Sequence, residues 1–240
     1  MVKILSTGTK SFIAKDVTKD LHTQYGFIKS SDIANSKPGD HLKSNTGKEF
    51  TIYDAQFIDL YHKIKRGAQI IPRKDIGLII TETGLNKNSV VIEAGAGSGA
   101  TGCLLAMICK KVYSYEIRED FFNIVKHNIE LLEIKNMKLK LKDAKLGFDE
   151  KNADAILLDL PDPWGFFDMA GKSLKPGGFL ISYSPTIPQV MDFVNKMPPA
   201  FTHLKTSEII EREWEVKDRK VRPLSQQIGH SGFLTFARKC

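Results

Sequence analysis

Hydrophobic and polar residues alternate in two different ways along the chain, and the change falls near residue 65. Before that point, short apolar stretches are separated by turn signals, among them Lys37–Asp40 and Asn45–Lys48. Pro-Gly and Thr-Gly dipeptides between extended segments are typical of tight turns. We therefore predict a small β-rich N-terminal module over residues 1–62, with strands that include Tyr25–Ile28 and Glu49–Tyr53.

From residue 63 onward, apolar runs of strand length are separated by segments with helical periodicity. The run Ser89–Ala94 is rich in β-branched residues, as expected for a strand that is buried on both faces. Phe121, Val125, Asn128 and Leu132 fall on one stripe of a helix that would lie on a sheet. The remaining predicted elements are a helix at Ala100–Lys110, strands at Lys111–Glu116, Lys138–Leu141, Ala153–Leu158 and Phe179–Tyr183, and a turn at Lys175–Gly178.

Strands that alternate with helices in this order predict an α/β fold, with a parallel, doubly wound, Rossmann-like sheet over residues 63–240. The tail carries two further strand candidates, Glu208–Trp214 and Phe233–Ala237. We expect them to add an antiparallel pair at one edge of the sheet.

The overall composition is that of an ordinary globular protein. Of the 240 residues, 42% are hydrophobic and 26% are charged, which excludes disordered, collagen-like and coiled-coil chains. The 35 Lys and Arg residues against 28 Asp and Glu residues give a formal net charge of +7. Such a surplus suits an anionic partner such as a nucleic acid but does not require one.

The cysteines predict neither a disulfide scaffold nor a metal site, because Cys103, Cys109 and Cys240 form no Cys-x-x-Cys pair. The first residues lack the apolar segment of a signal peptide, and the longest uncharged stretch, Ala94–Cys109, is too short to span a bilayer. The sequence therefore predicts a cytoplasmic protein that does not enter a membrane.

The predicted strand Ser89–Ala94 ends in the motif Glu93-Ala94-Gly95-Ala96-Gly97-Ser98-Gly99. Glycines at alternate positions let a backbone turn tightly and approach a nucleotide closely, and the helix that follows offers free N–H groups at its start. The spacing differs from the Gly-x-Gly-x-x-Gly dinucleotide pattern. It matches the E/D-x-G-x-G-x-G signature of S-adenosylmethionine-dependent methyltransferases, although an isolated glycine triplet is also compatible with a simple strand-to-helix turn.

Acidic residues also end or follow the next two predicted strands. Glu116 ends Lys111–Glu116, where a carboxylate would accept both ribose hydroxyls of a nucleoside. Asp143, which precedes Ala144, follows the next strand and would accept from an adenine amino group. Each could be an ordinary surface carboxylate. Together with Glu93, however, they place three acids at the strand ends where such sheets bind ligands.

The predicted strand Ala153–Leu158 leads into Asp159-Leu160-Pro161-Asp162-Pro163-Trp164. Proline fixes its own φ and disfavours helix at the preceding residue, so this loop is predicted to be rigid. In Rossmann-like methyltransferases that act on base nitrogens, the loop at this position holds the acceptor base with a polar group and a ring. The alternative, a structural turn with Trp164 packed in the core, stays open at this point.

Together these segments resemble the tRNA (adenine-N1)-methyltransferases that modify the T-loop, in their single-gene archaeal and bacterial form. The glycine loop is shared by many methyltransferases, whereas Gln-Ile-Ile-Pro-x-Lys-Asp and Asp-x-Pro-x-Pro-Trp are far more specific. One departure is Ser231, where relatives often carry threonine. The matching segments are His22–Gly26, Arg66–Asp75, Glu93–Gly99, Tyr115–Arg118, Asp159–Trp164, Ser184–Val190, Arg222–Pro223 and His230–Phe233.

The resemblance implies transfer of a methyl group from S-adenosylmethionine to N1 of adenine 58 of tRNA, with adenine 57 as a second candidate. Asp159 would be the catalytic residue that orients the flipped adenine, the N-terminal module would face the RNA, and the chain would form a homotetramer of paired dimers. The cofactor would be lined by Gln69, Ile70, Ile71, Glu93, Gly95, Ala96, Gly97, Ser98, Gly99, Ala100, Glu116, Ile117, Phe121, Asp143, Ala144 and Asp159. The RNA would lie near His22, Thr23, Gln24, Tyr25, Arg66, Pro161 and Trp164.

Two other functions stay open. A methyltransferase of a small molecule or a protein, of the precorrin or isoaspartyl type, would share the glycine loop, but the Asp159–Trp164 loop and the N-terminal module argue against it. A non-catalytic tRNA-binding subunit would have lost the cofactor loop, whereas Gly95, Gly97 and Gly99 are all present here.

Overall fold

The computed structural model describes residues 2–240. It divides into two compact units, one that extends to Lys63 and one from Ile64 to Cys240. The module expected over residues 1–62 lies within the first of them.

The first unit is built from short strands joined by turns. Its elements are β1 (Lys3–Ser6), β2 (Ser11–Ala14), β3 (Leu21–Thr23), β4 (Gly26–Ile28), α1 (Ser30–Asn35), β5 (His41–Lys43), β6 (Glu49–Asp54) and α2 (Phe57–Tyr61). An antiparallel sheet has the order β2-β1-β6-β5, and β3 pairs with β4 in a separate hairpin. Leu5, Ile28, Ile33, Phe50 and Ile52 form the buried core of the unit. The prediction of a β-rich module is confirmed.

The second unit alternates strands and helices. Its elements are α3 (Arg73–Thr83), β7 (Val90–Ala94), α4 (Ala100–Ala106), β8 (Lys111–Glu116), α5 (Glu119–Leu131), β9 (Met137–Leu141), β10 (Ala153–Leu158), α6 (Phe167–Ser173), β11 (Leu174–Ser184), α7 (Ile187–Asn195), β12 (Phe201–Ser207), β13 (Trp214–Lys217), β14 (Lys220–Pro223) and β15 (Phe233–Lys239). Seven strands form one sheet in the order β12-β15-β11-β10-β7-β8-β9. The pairs from β11 to β9 are parallel, and β15 is antiparallel to both of its neighbours. The predicted Rossmann-like sheet is confirmed.

The apolar runs predicted as buried strands occupy the centre of this sheet. Val91 and Ile92 of β7 and residues 156–158 of β10 are at most 1% exposed, as expected for parallel strands covered on both faces. On α5, the predicted stripe buries Val125, Asn128 and Leu132. Leu158 of β10 pairs with Ala94 of β7, and Ala94 pairs with Tyr115 of β8. Because the strands are parallel and in register, their carboxyl ends meet at one edge of the sheet.

The tail pairs differently from the prediction. The predicted strand at Glu208–Trp214 is wrong, because residues 208–213 are irregular and β15 pairs on its outer side with β12. Phe201 explains this choice: its side chain is 5% exposed and its ring lies 5.7 Å from that of Phe167, so burial of the ring draws β12 onto the sheet. Trp214 instead begins the hairpin β13–β14.

Two further boundaries differ from the prediction. The helix predicted to reach Lys110 ends at Ala106, and the Lys110 N–H donates to the carbonyl of Ser89 at 2.9 Å, which draws the chain into the sheet. The turn predicted at Lys175–Gly178 is a bulge inside β11, where the register shifts between two pairs with β10. Gly177 has φ +73 in this bulge, a backbone conformation that favours glycine.

Candidate active site

The glycine loop between β7 and α4 contacts the loop that follows β10. Gly95 has φ +89, and a Cβ at this position would lie 2.1 Å from the backbone oxygen of Asp159. The Asp159 N–H donates to the carbonyl of Ala94 at 3.0 Å. The two loops therefore form one cradle, and its geometry depends on the absence of a side chain at Gly95.

The Glu116 carboxylate lies at the end of β8 and is held by backbone donors. Its Oε1 accepts from the N–H groups of Ile117 at 2.9 Å and Arg118 at 3.0 Å. Its Oε2 accepts from the Gly97 N–H at 2.9 Å, so this oxygen keeps a lone pair for a further donor. The structure thus joins the second predicted acid to the glycine loop.

The Glu93 carboxyl is 2% exposed and accepts from the Ser114 hydroxyl at 2.5 Å. Burial raises the pKa of Glu93 to about 8, and the nearby Asp159 carboxyl adds to the rise, while the Ser114 hydrogen bond opposes it. Glu93 is therefore largely protonated at neutral pH. A Cβ on Gly102 would lie 2.5 Å from Glu93 Oε2, so the start of α4 packs directly on this carboxyl.

A cavity of about 280 Å³ opens beside the glycine loop. Asp143 and Ala144 line it, as does Ile117, whose side chain is 64% exposed. The Asp143 carboxylate accepts from the Lys145 N–H at 2.8 Å and so begins the 3₁₀ turn Ala144–Leu146. The full set of lining residues is Gly95, Tyr115, Glu116, Ile117, Lys142, Asp143, Ala144, Lys145, Leu160, Pro161, Asp162 and Phe166.

Phe121, another residue expected at the cofactor, is not among the residues that line this cavity. The Arg118 guanidinium lies 3.9 Å from the centroid of the Phe121 ring. A Cβ on Gly67 would come within 2.7 Å of the same ring. Phe121 therefore supports the segment before α3.

That segment carries Gln69, Ile70 and Ile71 and is attached to the glycine loop. The Gly67 N–H donates to the Ser98 hydroxyl at 3.0 Å. Ile71 is 2% exposed, Ile70 is half-buried and Gln69 is exposed. Of the three, Gln69 presents its amide to solvent, whereas Ile71 packs into the core.

Asn128 holds the same segment in place, a role that its position on the apolar stripe of α5 did not reveal. Its amide donates to the carbonyls of Lys65 and Ser98, both at 2.8 Å, and its oxygen accepts from the Lys65 N–H at 2.8 Å. A polar residue on a predicted buried stripe was the signal that could have found it, since buried amides are normally hydrogen-bonded.

Asp159 lies at the carboxyl end of β10 and is only partly exposed. Burial raises the pKa of its carboxyl to about 7. The Glu93, Glu116 and Asp159 side chains therefore lie close to one another at this edge. Because Glu93 is largely protonated at neutral pH, Glu116 and Asp159 are the two carboxyl groups that would suit a cationic ligand. Among residues 2–240, no group of three or more His, Cys, Asp or Glu side chains could hold a metal ion.

The rest of the Asp159–Trp164 loop is fixed by its neighbours. Lys145 Nζ lies 2.7 Å from Asp162 Oδ2, and Pro161 lines the cavity. Trp164 packs against the hydrophobic core, and Lys196 Nζ lies 4.5 Å from the centroid of its ring. Trp164 therefore has the structural role that the sequence left open, and the Lys196 ammonium lies over one face of its ring.

The residues of the first unit expected near RNA have different environments. His22 and Gln24 are exposed. Tyr25 is half-buried and packs edge-to-face on Phe12 and Phe50, with ring centroids 6.1 and 6.3 Å away. The Thr23 hydroxyl donates to the Gly26 carbonyl at 2.9 Å and so stabilises the β3–β4 turn. Arg66, in the second unit, is exposed.

Besides the role of Asn128, sequence reasoning missed two further buried features near this edge. Tyr183 follows Ser182, which pairs with Leu158, so it lies beside Asp159 along the sheet. It is 6% exposed, and its hydroxyl has no hydrogen-bond partner among the described residues. The strand pattern alone did not distinguish Tyr183 from a core residue.

The second missed feature is a buried ion pair at the start of α3. Asp75 is 1% exposed, and its carboxylate accepts from Lys74 Nζ at 2.8 and 3.0 Å and from the Ser231 hydroxyl at 2.9 Å. Lys74 also donates to the carbonyl of Ile209 at 2.7 Å. This cluster ties α3 to the C-terminal segment, and no local pattern links residues so far apart in sequence.

No helix within residues 2–240 is long and apolar enough to cross a membrane.

Comparison with known proteins points to one family. A tRNA (adenine(57)-N(1)/adenine(58)-N(1))-methyltransferase, TrmI of Methanocaldococcus jannaschii, is 33% identical over 95% of this chain and 91% of its own length. The crystal structure of tRNA (m1A58) methyltransferase TrmI from Aquifex aeolicus superposes with a TM-score of 0.84 at 25% identity, over 100% of this chain and 97% of that one.

A further solved structure, described as an S-adenosylmethionine-dependent O-methyltransferase from Thermotoga maritima, has a TM-score of 0.89 at 30% identity and covers 99% of this chain and 92% of that one. The family model described as "tRNA methyltransferase complex GCD14 subunit" matches residues 58–222. The resemblance found in the sequence is confirmed. With more than half of its length matched by that model, the chain belongs to the GCD14 family of tRNA methyltransferases.

Proposed function

We infer that this chain transfers a methyl group from S-adenosylmethionine to N1 of an adenine in tRNA, with adenine 58 as the target. One observation carries the inference: Asp159 lies at the carboxyl edge of the sheet with its backbone against the glycine loop, and burial raises the pKa of its carboxyl to about 7. The family supplies the acceptor class. The names of the relatives supply the position in tRNA.

The residues around the cavity fit this cofactor. The free lone pair on Glu116 Oε2 would accept from a ribose hydroxyl, and Gly95 of the glycine loop lines the cavity with its backbone. Asp143, Ala144 and Ile117 line the part of the cavity that would take the adenine ring. The carboxyl groups of Glu116 and Asp159 suit a sulfonium cation, whereas Glu93 is largely protonated and contributes no charge at neutral pH.

Methyl transfer depends mainly on the position of adenine N1 and on stabilisation of the positive charge that forms on the adenine ring. S-adenosylmethionine supplies an electrophilic methyl group when it is bound. Adenine N1 has an in-plane lone pair and needs no covalent activation, so the protein has to align it and stabilise the positive charge that develops on the ring. An ionised Asp159 carboxylate would accept a hydrogen bond from N6–H. This bond would both align N1 and stabilise the positive charge on the ring.

The target atom lies on the pairing edge of the base, so the adenine has to leave its stack and enter a pocket. Pro161 and the edge of Trp164 would border that pocket. Because Tyr25 packs into the core of the first unit, the exposed side chains of His22 and Gln24 are the better candidates for contacts with RNA in that unit. The net charge of +7 would favour the approach of the RNA backbone.

We also propose that the chain forms a homotetramer of paired dimers in the cytoplasm. The C-terminal hairpin supports assembly, since Trp214, Val216 and Val221 are 54%, 71% and 58% exposed. Exposed apolar clusters of this kind commonly mark protein interfaces. Native mass spectrometry of the purified protein should give the mass of four chains, and Trp214→Glu with Val216→Glu should shift it to smaller species. A monomer in the unmodified protein would contradict this proposal.

The function is tested by incubating the protein with labelled S-adenosylmethionine and unmodified tRNA and then digesting the RNA to nucleosides. Label should appear in 1-methyladenosine, and a tRNA with guanosine at position 58 should accept none. Asp159→Ala should lose most of kcat while calorimetry shows near-normal cofactor affinity. Label in another nucleoside, or none with cofactor bound, would overturn the assignment. Absence of cofactor binding would instead indicate a non-catalytic subunit.

A further inference from the structure

The start of α7 does not use the helix cap that its sequence offers. Thr186-Ile187-Pro188-Gln189 has the pattern of a capping box, in which the first and last side chains bond to each other's backbone N–H groups. In the structure, Thr186 makes no side-chain capping bond. Its hydroxyl donates to Gln189 Oε1 at 2.8 Å, and Gln189 Nε2 donates to the carbonyl of Pro161 at 3.1 Å. The Gln189 amide is thus directed out of its own helix.

The acceptor of this hydrogen bond lies two residues after Asp159. Pro161 and Pro163 restrict the backbone of the loop, so fixing the Pro161 carbonyl also limits where the Asp159 carboxyl can lie. The Lys145–Asp162 ion pair, 2.7 Å long, holds the loop through the next residue. That pair joins two exposed side chains and contributes little on its own. The Gln189 hydrogen bond is also exposed, but its acceptor is the backbone of the loop itself.

Helix α7 is a suitable fixed point for such a bridge. Phe193 is fully buried, with its ring 4.9 Å from that of Phe167. Just after the helix ends, Lys196 lies over the ring of Trp164. The helix therefore contacts the Asp159–Trp164 loop from both of its ends.

The residue before Thr186 is held as well. His230 Nε2 lies 2.8 Å from the Pro185 carbonyl, and its Nδ1 lies 2.6 Å from Glu208 Oε1. Both partners are acceptors, so the ring satisfies both contacts only when both of its nitrogens carry protons. Hydrogen bonds to Glu208 and to the Pro185 carbonyl raise the pKa of His230 accordingly.

We propose that Gln189 is a positioning residue for methyl transfer: its amide bridge from α7 to Pro161 sets the place of the Asp159 carboxyl relative to the acceptor adenine. This proposal rests on the proposed function for its catalytic consequence. The bridge itself is a property of the protein alone and has a separate test.

The catalytic test compares Gln189→Glu and Gln189→Met with the unmodified protein. Misplacement of a catalytic group by about 1 Å costs on the order of 100-fold in rate, so kcat on tRNA should fall about 10- to 100-fold in both variants. KM and calorimetric Kd for S-adenosylmethionine should stay unchanged. The matched control is Gln226→Glu, the same change at an exposed glutamine, which should keep full activity. Full kcat in Gln189→Met would overturn the proposal.

A pH series separates positioning from a general loss of structure. The carboxyl group that Q189E introduces regains a donor for the Pro161 carbonyl when it is protonated. The rate of Q189E relative to the unmodified protein should therefore rise as pH falls from about 8 to about 4.5, toward the ordinary pKa of a glutamate side chain. The same ratio for Gln189→Met should stay flat. A flat ratio for both variants would contradict a role as hydrogen-bond donor.

The bridge is tested without catalysis by the fluorescence of Trp164, one of only two tryptophans in the chain. In a Trp214→Phe background, Gln189→Met should loosen the loop and increase quenching of Trp164 by acrylamide. Unchanged quenching would overturn the bridge even if tRNA is methylated. Increased quenching in a protein that methylates no tRNA would show that the bridge exists and that the proposed function fails.

Discussion

The backbone oxygen of Asp159 occupies the space into which a side chain on Gly95 would extend, 2.1 Å from the Cβ position. The glycine loop and the Asp159–Trp164 loop are thus in contact through their backbones. A change in one has to displace the other, because neither contact atom belongs to a flexible side chain.

Gly95→Ala should therefore impair both the proposed cofactor site and the proposed adenine site. Alanine is strained at φ +89 and its methyl group would collide with the Asp159 carbonyl. We expect a loss of kcat/KM for tRNA of about 100-fold or more, together with weaker cofactor binding by calorimetry. Gly77→Ala is the control, since nothing lies within 4 Å of a Cβ there and alanine favours a helix. Wild-type kinetics in Gly95→Ala would show that the glycine loop and the Asp159–Trp164 loop do not depend on each other.

The activity should depend on the ionisation of Asp159. Burial raises the pKa of this carboxyl to about 7, and only the ionised form accepts from N6–H without also presenting a proton. The value of kcat/KM for tRNA should therefore rise about tenfold per pH unit below 7 and level off above it. Asp159→Asn should be slow at every pH and lack this rise. A profile that is flat between about pH 5.5 and about pH 8 in the unmodified protein would exclude the role.

The stability of the free protein should fall with increasing pH because of Glu93. Burial raises the pKa of this carboxyl from 4.5 to about 8, so between these values the folded state binds more protons than the unfolded state. Under linkage, the free energy of unfolding then decreases as pH rises through this window. Glu93→Gln should unfold at a Tm several degrees higher than the unmodified protein at about pH 8.5, with a smaller difference at about pH 5. An equal difference at both pH values would contradict the linkage.

The Asp75 carboxylate should matter for stability more than an exposed carboxylate on the same helix. Asp75→Ala leaves the Lys74 ammonium, 12% exposed, without its partner, and breaking a buried pair costs about 3 to 5 kcal/mol. Glu82→Ala, which removes a partly exposed ion pair with Lys205, should cost about 1 kcal/mol or less. Urea unfolding curves of the two variants measure the difference. Equal midpoints would show that the Asp75 cluster is not structural.

Much of the fold followed from local pattern. The β-branched run at Val90–Ala94 and the stripe on α5 indicated their elements directly, because burial on two faces and on one face leave different periodicities. The partner of β15 was not predictable in the same way. The choice of β12 over residues 208–213 depends on where Phe201 packs, and this contact exists only once the sheet has formed.

The candidate site also combines features that a local sequence pattern predicts with features that depend on tertiary packing. Its glycines and acids were visible in the sequence because a tight turn requires glycine and because parallel strands bring their carboxyl ends to one edge. The protonation of Glu93 and the near-neutral pKa of Asp159 were not visible, since both depend on burial by residues far away in sequence.

The sequence by itself thus determined which residues lie at the carboxyl edge of the sheet, because the order of strands along the chain and the conformations that glycine and proline allow are local properties. Only the tertiary structure decided what those residues bond to. Gln189 lies at the last position of a capping-box sequence, yet its amide donates to the Pro161 carbonyl. The Asp75 carboxylate accepts from the Ser231 hydroxyl, which is far away in sequence. Hydrogen bonds of this kind form between groups that meet only in the folded state, so no local pattern encodes them.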